Sequence, residues 1–321
     1  MDSHINTLKP IPMICEAIPV SQITSSEMLA ATVLKIEGAY SPSTIRAYRA
    51  NFASFITYCA KLGVASLPAS ATTVTSYISH LANGHLKSAS VRMAVTAIAA
   101  IHRLNRFEDP TKDPDALLEV RRMHRKLGRS SNQAPGVTHA ILEKLISVTD
   151  DSLRGMRDRM LLLLAYDSLC RRSELVSLRI EDISNLNTDK GLQIRLRKSK
   201  TDPNAMGKWL HLSERTQQAI EDWITASEIE EGFLIRRITK HGGILPKGIS
   251  GGHINRVYKR LAAEAGLDAD MVDHISGHSM RVGSAQDLMT SGASMPMLMN
   301  RGRWTKTDTV MRYVENAQVV M

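Results

Sequence analysis

Cysteine is scarce in this chain: only Cys15, Cys59 and Cys170 occur in 321 residues, and no two of them form a C-x-x-C pair. An odd, widely spaced set of three excludes a disulfide-stapled secreted module, and the thiols read as packing residues of a protein kept in a reducing cytosol. Aromatic residues are also sparse, at 4%, so aliphatic side chains must build most of the core. The longest unbroken apolar stretch, Met160 to Tyr166, has 7 residues, about a third of a membrane span. No membrane partner is expected. The N-terminus offers only Lys9 before Pro10, Pro12 and Pro19 interrupt its apolar residues, which is unlike a signal peptide. No G-x-S-x-G elbow, Walker loop or H-E-x-x-H helix is found, which sets aside the commonest hydrolase, nucleotide-binding and zinc-protease motifs. Acidic residues form no compact cluster able to hold two divalent ions, so a metal nuclease is disfavoured and no metal or cofactor is expected.

What the sequence does have is length, helical periodicity and positive charge. At 35.5 kDa it can form two domains, each burying its own core. A hydrophobic fraction of 43% with 23% charged residues argues against disorder. The formal net charge of +9 is the balance expected of a protein that meets a polyanion, with nucleic acid the first candidate. The excess is uneven: residues 1–135 carry 15 basic and 9 acidic residues, the remainder 26 and 23.

Residues 1–21 lack sustained periodicity and read as a flexible arm. Residues 22–129 read as a helical domain, with helix starts at Ser41-Pro42 and Asp113-Pro114, further helices over Ser70 to Ala82 and Ser88 to Leu104, and a stop at Gly63. The helix after Pro114 carries Arg121, Arg122, Arg125 and Lys126, with Arg129 just beyond Gly128. This basic stripe is read as a phosphate-tracking, DNA-binding surface, a solvated charged face being the plain alternative. Residues 130–137 read as a linker. Residues 138–321 read as a mixed domain: helices over Leu153 to Leu169, Ser213 to Ser227 and Ser250 to Ala265, and a hairpin over Gly191 to Leu212, where Leu192, Ile194 and Leu196 alternate with polar residues.

His274 and His278 are four residues apart beside Asp273, but Gly277 interrupts the helix that a paired zinc site would need, and no third ligand stands at a standard spacing. The neighbouring residues suggest a different use. Ser276-Gly277-His278-Ser279-Met280-Arg281-Val282-Gly283 is followed by Gly302-Arg303-Trp304-Thr305 and Met311-Arg312-Tyr313, and preceded by Arg171-Arg172-Ser173-Glu174-Leu175 and Lys198-Ser199-Lys200-Thr201. This ordered set resembles the catalytic signature of the tyrosine site-specific recombinases, the phage integrase family, and its S-G-H-S-x-R-V-G and G-x-W-T stretches are most similar to the Cre-like branch. The resemblance implies a mainly α fold with a small β-sheet in the C-terminal domain, in which a helical core-binding domain and an α+β catalytic domain clamp DNA.

The chemistry of a phosphodiester asks for such a set. Without a metal, cationic side chains must neutralise the nonbridging oxygens, and an acid must protonate the leaving alkoxide. Arg171 and Arg281 can each fork onto phosphate oxygens. By the resemblance, Lys200 protonates the leaving 5′ oxygen, His278 assists proton transfer, Trp304 donates its indole N–H and packs the site, Glu174 supports, and Tyr313 is the nucleophile. Lys198 competes with Lys200, two residues away on the same side of the strand. Taken singly these residues have plain readings: Tyr313 and Trp304 as packing residues, Arg171 as a partner of Glu174 on one helix face.

The expected reaction is site-specific recombination of double-stranded DNA through a 3′-phosphotyrosyl link and a Holliday junction, independent of metal and ATP. A homo-tetramer on two target sites, acting at the nucleoid in the cytoplasm, is the implied assembly. The rivals are a type IB topoisomerase, with a similar residue set but no partner exchange, and a DNA-binding protein without catalysis. Only 8 residues follow Tyr313, fewer than in the Cre-like C-terminal helix that docks on a neighbouring subunit, so a weaker or differently arranged coupling is expected.

Overall fold

The computed structural model describes residues 24–129, 133–185, 192–197, 199 and 206–314. The chain divides into two compact units, 1–132 and 133–321. The arm read over residues 1–21, the lysines at 198 and 200, and the tail after Val314 lie outside the described residues.

The first unit is helical: α1 (Ser25–Lys35), α2 (Pro42–Leu62), α3 (Ala71–Asn83), α4 (Ser88–Leu104) and α5 (Pro114–Leu127). Short polar side chains set most of the starts. Ser41, Ser70 and Asp113 accept a backbone N–H from the first turn of α2, α3 and α5, and proline occupies the first turn of α2 and α5, where its missing N–H costs nothing. Gly63 ends α2 with φ +67°, a left-handed cap that glycine adopts without penalty. Periodicity does not reveal helix α1, although another signal for it is present: Thr24 and Glu27 form a reciprocal capping box. Phe52, Phe55, Ile78, Ile98 and Ile101 fill the core, each side chain contributing about 1.5–3 kcal/mol through burial.

The second unit contains α6 (His139–Ser147), α7 (Leu153–Ser168), the single turn α8 (Arg172–Leu175), β1 (Ile183–Asn185), β2 (Leu192–Leu196), β3 (Lys208–Trp209), α9 (Glu214–Ser227), β4 (Arg236–Ile238), β5 (Ile244–Gly248), α10 (Gly251–Glu264), α11 (Ala269–His274), α12 (Ser279–Thr290), α13 (Met295–Gly302) and α14 (Thr307–Val314). Strands β1, β2 and β3 form an antiparallel sheet in that order, pairing Ile183 with Ile194 and Arg195 with Trp209. The hairpin expected over 191–212 is therefore present as β2 and β3, with a third strand added. A separate hairpin, β4 and β5, pairs Ile238 with Ile244 and carries no alternating apolar pattern by which it could have been found. Leu192, Ile194 and Leu196 face the main core. Trp223 is fully buried there and donates its indole N–H to the Leu234 carbonyl at 2.8 Å. A smaller apolar cluster of Leu169, Ala285, Leu298, Trp304, Val310 and Val314, with Tyr313 against it, packs α12, α13 and α14 on the end of α7.

Candidate active site

Three chain segments meet at this small cluster. Leu169, just beyond α7, is buried and left-handed, with φ +49°. This turn presents carbonyls at the end of α7 that no helical N–H can satisfy, and two arginines from elsewhere take them. Arg281, in the first turn of α12, donates from Nη1 to the Leu169 carbonyl and from Nη2 to the Gly302 carbonyl. Arg303 donates from Nη1 to the Ser168 carbonyl at 3.0 Å and from Nη2 to the Leu169 carbonyl at 3.1 Å.

Arg171, next along the chain, caps α8. Its N–H donates to Glu174 Oε2 at 2.8 Å and its Nη1 to Glu174 Oε1 at 2.7 Å. Arg303 Nη2 donates to the same carboxylate at 3.1 Å. Glu174 is thus a buried hub between two arginines. Burial alone would raise its pKa, but the Arg171 N–H, Arg303 and the Arg171 guanidinium outweigh that and hold it below the usual carboxylate range. Arg171 is thus the partner of Glu174 that its plain reading expected, and the pairing fixes the guanidinium in place. Arg171 Nη1 also reaches Ser199 Oγ at 3.4 Å, which brings the residue preceding Lys200 to the site.

On the other side, His278 caps α12, and its Nε2 lies 2.6 Å from the Tyr313 hydroxyl on α14. The Tyr313 ring is 5.1 Å from the His278 ring and 5.0 Å from that of Trp304. The Arg281 guanidinium carbon sits 4.4 Å over the Trp304 ring and 5.8 Å from that of Tyr313. Arg171, Glu174, His278, Arg281, Trp304 and Tyr313 are therefore brought together. His274 is not: it lies on α11, with Nδ1 directed to the Asp270 carbonyl and carboxylate. No group of three potential metal ligands gathers among the described residues.

Two buried donors in this cluster, Arg281 Nε and Trp304 Nε1, have no hydrogen-bond acceptor among the described residues. Unpaired buried donors are rare and costly, and these two stand next to an excess of guanidinium groups over carboxylate. Arg281 departs from a simple fork onto phosphate, because one N–H of each Nη is given to a carbonyl. Its Nε–H and the second N–H of each Nη remain. Burial, then the neighbouring Arg171, pushes its pKa down to about 10, which leaves it charged at neutral pH.

Burial, and after it Arg281, Arg171 and Arg172, pushes His278 down to about 4. A neutral imidazole with its proton on Nδ1 accepts the Tyr313 hydroxyl proton at Nε2. An unfolded histidine titrates near 6.5, so between these values the unfolded chain binds the proton and the folded chain does not. The stability that follows from keeping this group neutral is complete above about pH 6.5 and is lost as pH falls towards 4. For the strand cleavage that the resemblance implies, kcat/KM, which reports the free enzyme, is expected to persist below pH 6 and to fail only as pH nears 4; a loss centred near pH 6.5 would contradict the assignment.

Glycines make the geometry possible. A Cβ on Gly302 would lie 2.0 Å from the Trp304 ring, so the indole packs directly on the backbone whose carbonyl holds Arg281. Gly302→Ala is expected to destabilise the protein by about 1–3 kcal/mol through overpacking, and an unchanged urea midpoint would refute that packing. A Cβ on Gly283 would sit 1.8 Å from the Val137 carbonyl oxygen; there the chain crosses α12, with the Val137 N–H donating to the Ser279 carbonyl at 2.9 Å.

The sequence motif contains Arg303 but assigns it no role, since an arginine beside a glycine carries no sign of burial. Asn255 is likewise invisible from sequence; its Oδ1 accepts the Gly277 N–H at 2.8 Å. In the first unit, Arg121, Arg122, Arg125, Lys126 and Arg129 are all exposed. Arg122 pairs with Glu119 at 3.0 Å and Lys126 donates to Asn83 at 2.5 Å. Burial, then Arg129 and Arg92, lowers the pKa of His124 on α5.

Residues 136–319 match the phage integrase family and residues 31–108 the phage integrase N-terminal SAM-like domain. The chain is 27% identical over 298 residues to an integrase/recombinase xerD homolog of Selenomonas ruminantium, covering 89% of this chain and 85% of that protein. It is 26% identical to recombinase cre of Escherichia phage P1, over 78% and 77% of the two. Among solved structures, XerH site-specific recombinase bound to a palindromic difH substrate aligns with a TM-score of 0.69 at 15% identity, over 93% and 83% of the two chains. A lambda integrase dimer bound to a core site aligns at 0.60 and 13%, over 91% and 77%. These structures share the fold, and with more than half of its residues matched by the family's own pattern, the chain belongs to the phage integrase family.

Proposed function

We propose that this enzyme, a member of the tyrosine recombinases, cuts and rejoins specific DNA sites with Tyr313 as its nucleophile. The observation that carries the reading is the 2.6 Å hydrogen bond between the Tyr313 hydroxyl and His278 Nε2, set beside Arg171, Arg281 and Trp304. His278 Nε2 takes the phenolic proton as Tyr313 Oη attacks phosphorus. The P–O5′ bond breaks, and Lys200 gives a proton to the departing oxygen. Arg171, Arg281 and the Trp304 N–H take up the charge gathering on the nonbridging oxygens. The 3′-phosphotyrosyl ester conserves the bond energy, so a 5′-hydroxyl from a second duplex can reverse the step without ATP. Residues 138–321 form the catalytic domain and residues 22–129 the core-binding domain, joined by 130–137.

Four copies on two double-stranded DNA sites carry the exchange through a Holliday junction in the cytoplasm, at the nucleoid. No helix among the described residues is long and apolar enough to cross a membrane. The stripe of Arg121, Arg122, Arg125, Lys126 and Arg129 holds backbone phosphates. Changing Arg121 and Arg125 to glutamine is expected to flatten the salt dependence of binding by about 0.9 for each phosphate no longer neutralised; an unaltered slope would return the stripe to a solvated face. Covalently trapped host DNA supplies the site for the deciding assay. Two linear duplexes bearing it should yield exchanged products with the purified protein, whereas relaxed supercoils without exchange would favour a type IB topoisomerase.

A further inference from the structure

Arg172 follows Arg171 directly but takes no part in the scheme above. Its aliphatic stem runs between two glycines from distant parts of the chain. A Cβ on Gly251, at the start of α10, would lie 2.8 Å from Arg172 Nε and 3.0 Å from its Cδ; one on Gly277 would lie 2.8 Å from Cδ and 3.0 Å from Cγ. Neither glycine has a positive φ, so backbone freedom is not what glycine supplies there. It supplies room for this stem. Asn255 closes the channel, its Oδ1 accepting the Gly277 N–H at 2.8 Å and Arg172 Nη1 at 3.4 Å.

The residue is exposed, and no carboxylate pairs with it among the described residues. A charge that only solvates a surface needs no fitted channel, whereas one that must meet a ligand in a fixed place gains from being ordered beforehand. Its field already reaches the site, since Arg172 is one of the cations that disfavour protonation of His278. We propose that Arg172 clamps a DNA backbone phosphate next to the one attacked, which rests on the strand-exchange reading and adds a DNA-holding group to it. An exposed guanidinium one residue after Arg171 suits a neighbouring phosphodiester, which it can engage through two N–H groups at once.

The test measures binding of a fluorescein-labelled mixed-sequence duplex across a salt series, alongside SDS-resistant adduct formation on host DNA. Arg172→Gln keeps a polar group for Asn255 and is expected to lower the slope of log affinity against log salt by about one phosphate's worth. Arg172→Lys should keep the slope. Gly251→Ala, which expels the stem without touching a reacting group, should lower it as Arg172→Gln does, and the double variant should go no further. A wild-type slope in Arg172→Gln would overturn the clamp whatever the adduct shows. A lowered slope in Arg172→Gln, with no adduct from the unaltered protein, would keep a phosphate contact at Arg172 but overturn the strand-exchange reading, and with it the placing of that phosphate beside an attacked one.

Discussion

Tyr313→Phe is expected to abolish the covalent protein–DNA adduct while leaving duplex binding intact. The substitution removes one oxygen. The ring that packs between His278 and Trp304, at 5.1 and 5.0 Å, stays in place, and α14 remains anchored by buried Val310 and Val314. His278 loses a hydrogen-bond partner, at a cost of about 1 kcal/mol. No other tyrosine described in this unit can take over. Tyr258 is completely buried, and Tyr166 is held by Asp287; burial foremost raises both phenols well above their ordinary range. Adduct persisting in the phenylalanine variant would show that the nucleophile lies elsewhere.

Arg281→Ala is expected to slow single-turnover cleavage by about 10²–10³-fold, the scale of losing a fixed donor to transition-state charge. Three roles disappear together: a buried cation, the anchor of the Gly302 carbonyl and the planar group stacked 4.4 Å over Trp304. Arg281→Lys keeps the charge but can neither fork between two carbonyls nor stack, so it should be nearly as slow. Stability should fall as well, because removing a completely buried side chain leaves a cavity and orphans the Gly302 carbonyl at about 1–3 kcal/mol, although the Leu169 carbonyl keeps Arg303 as a donor; the rate is therefore read on protein shown to be folded by circular dichroism. Cleavage at the unaltered rate in a nicked-substrate assay would remove Arg281 from the reaction.

These two residues could be singled out in the sequence because they stand in ordered motifs that resemble those of a known family and whose chemistry is self-consistent. Capping residues such as Ser41 and Asp113 place helix starts for the same kind of reason: their preference is local, and one sequence displays it. Packing between distant segments leaves no such trace. Nothing near Gly302 or Gly283 announces that an indole or the Val137 backbone will lie where a Cβ belongs. Arg303 reads as a surface residue until the left-handed turn at φ +55° directs it onto Glu174 and the end of α7. The β4–β5 hairpin carries Arg236, Arg237 and Pro246 with little burial, and so lacks the alternation that betrays β2.

Peptide mapping of the covalent adduct, formed in the presence of a metal chelator and digested on both protein and DNA, tests the central claim most directly. The account predicts a single phosphotyrosyl peptide containing Tyr313, joined to a 3′ phosphate and accompanied by a free 5′-hydroxyl. An adduct on any other residue, a 5′ linkage, or an adduct that forms only when divalent metal is restored would contradict it.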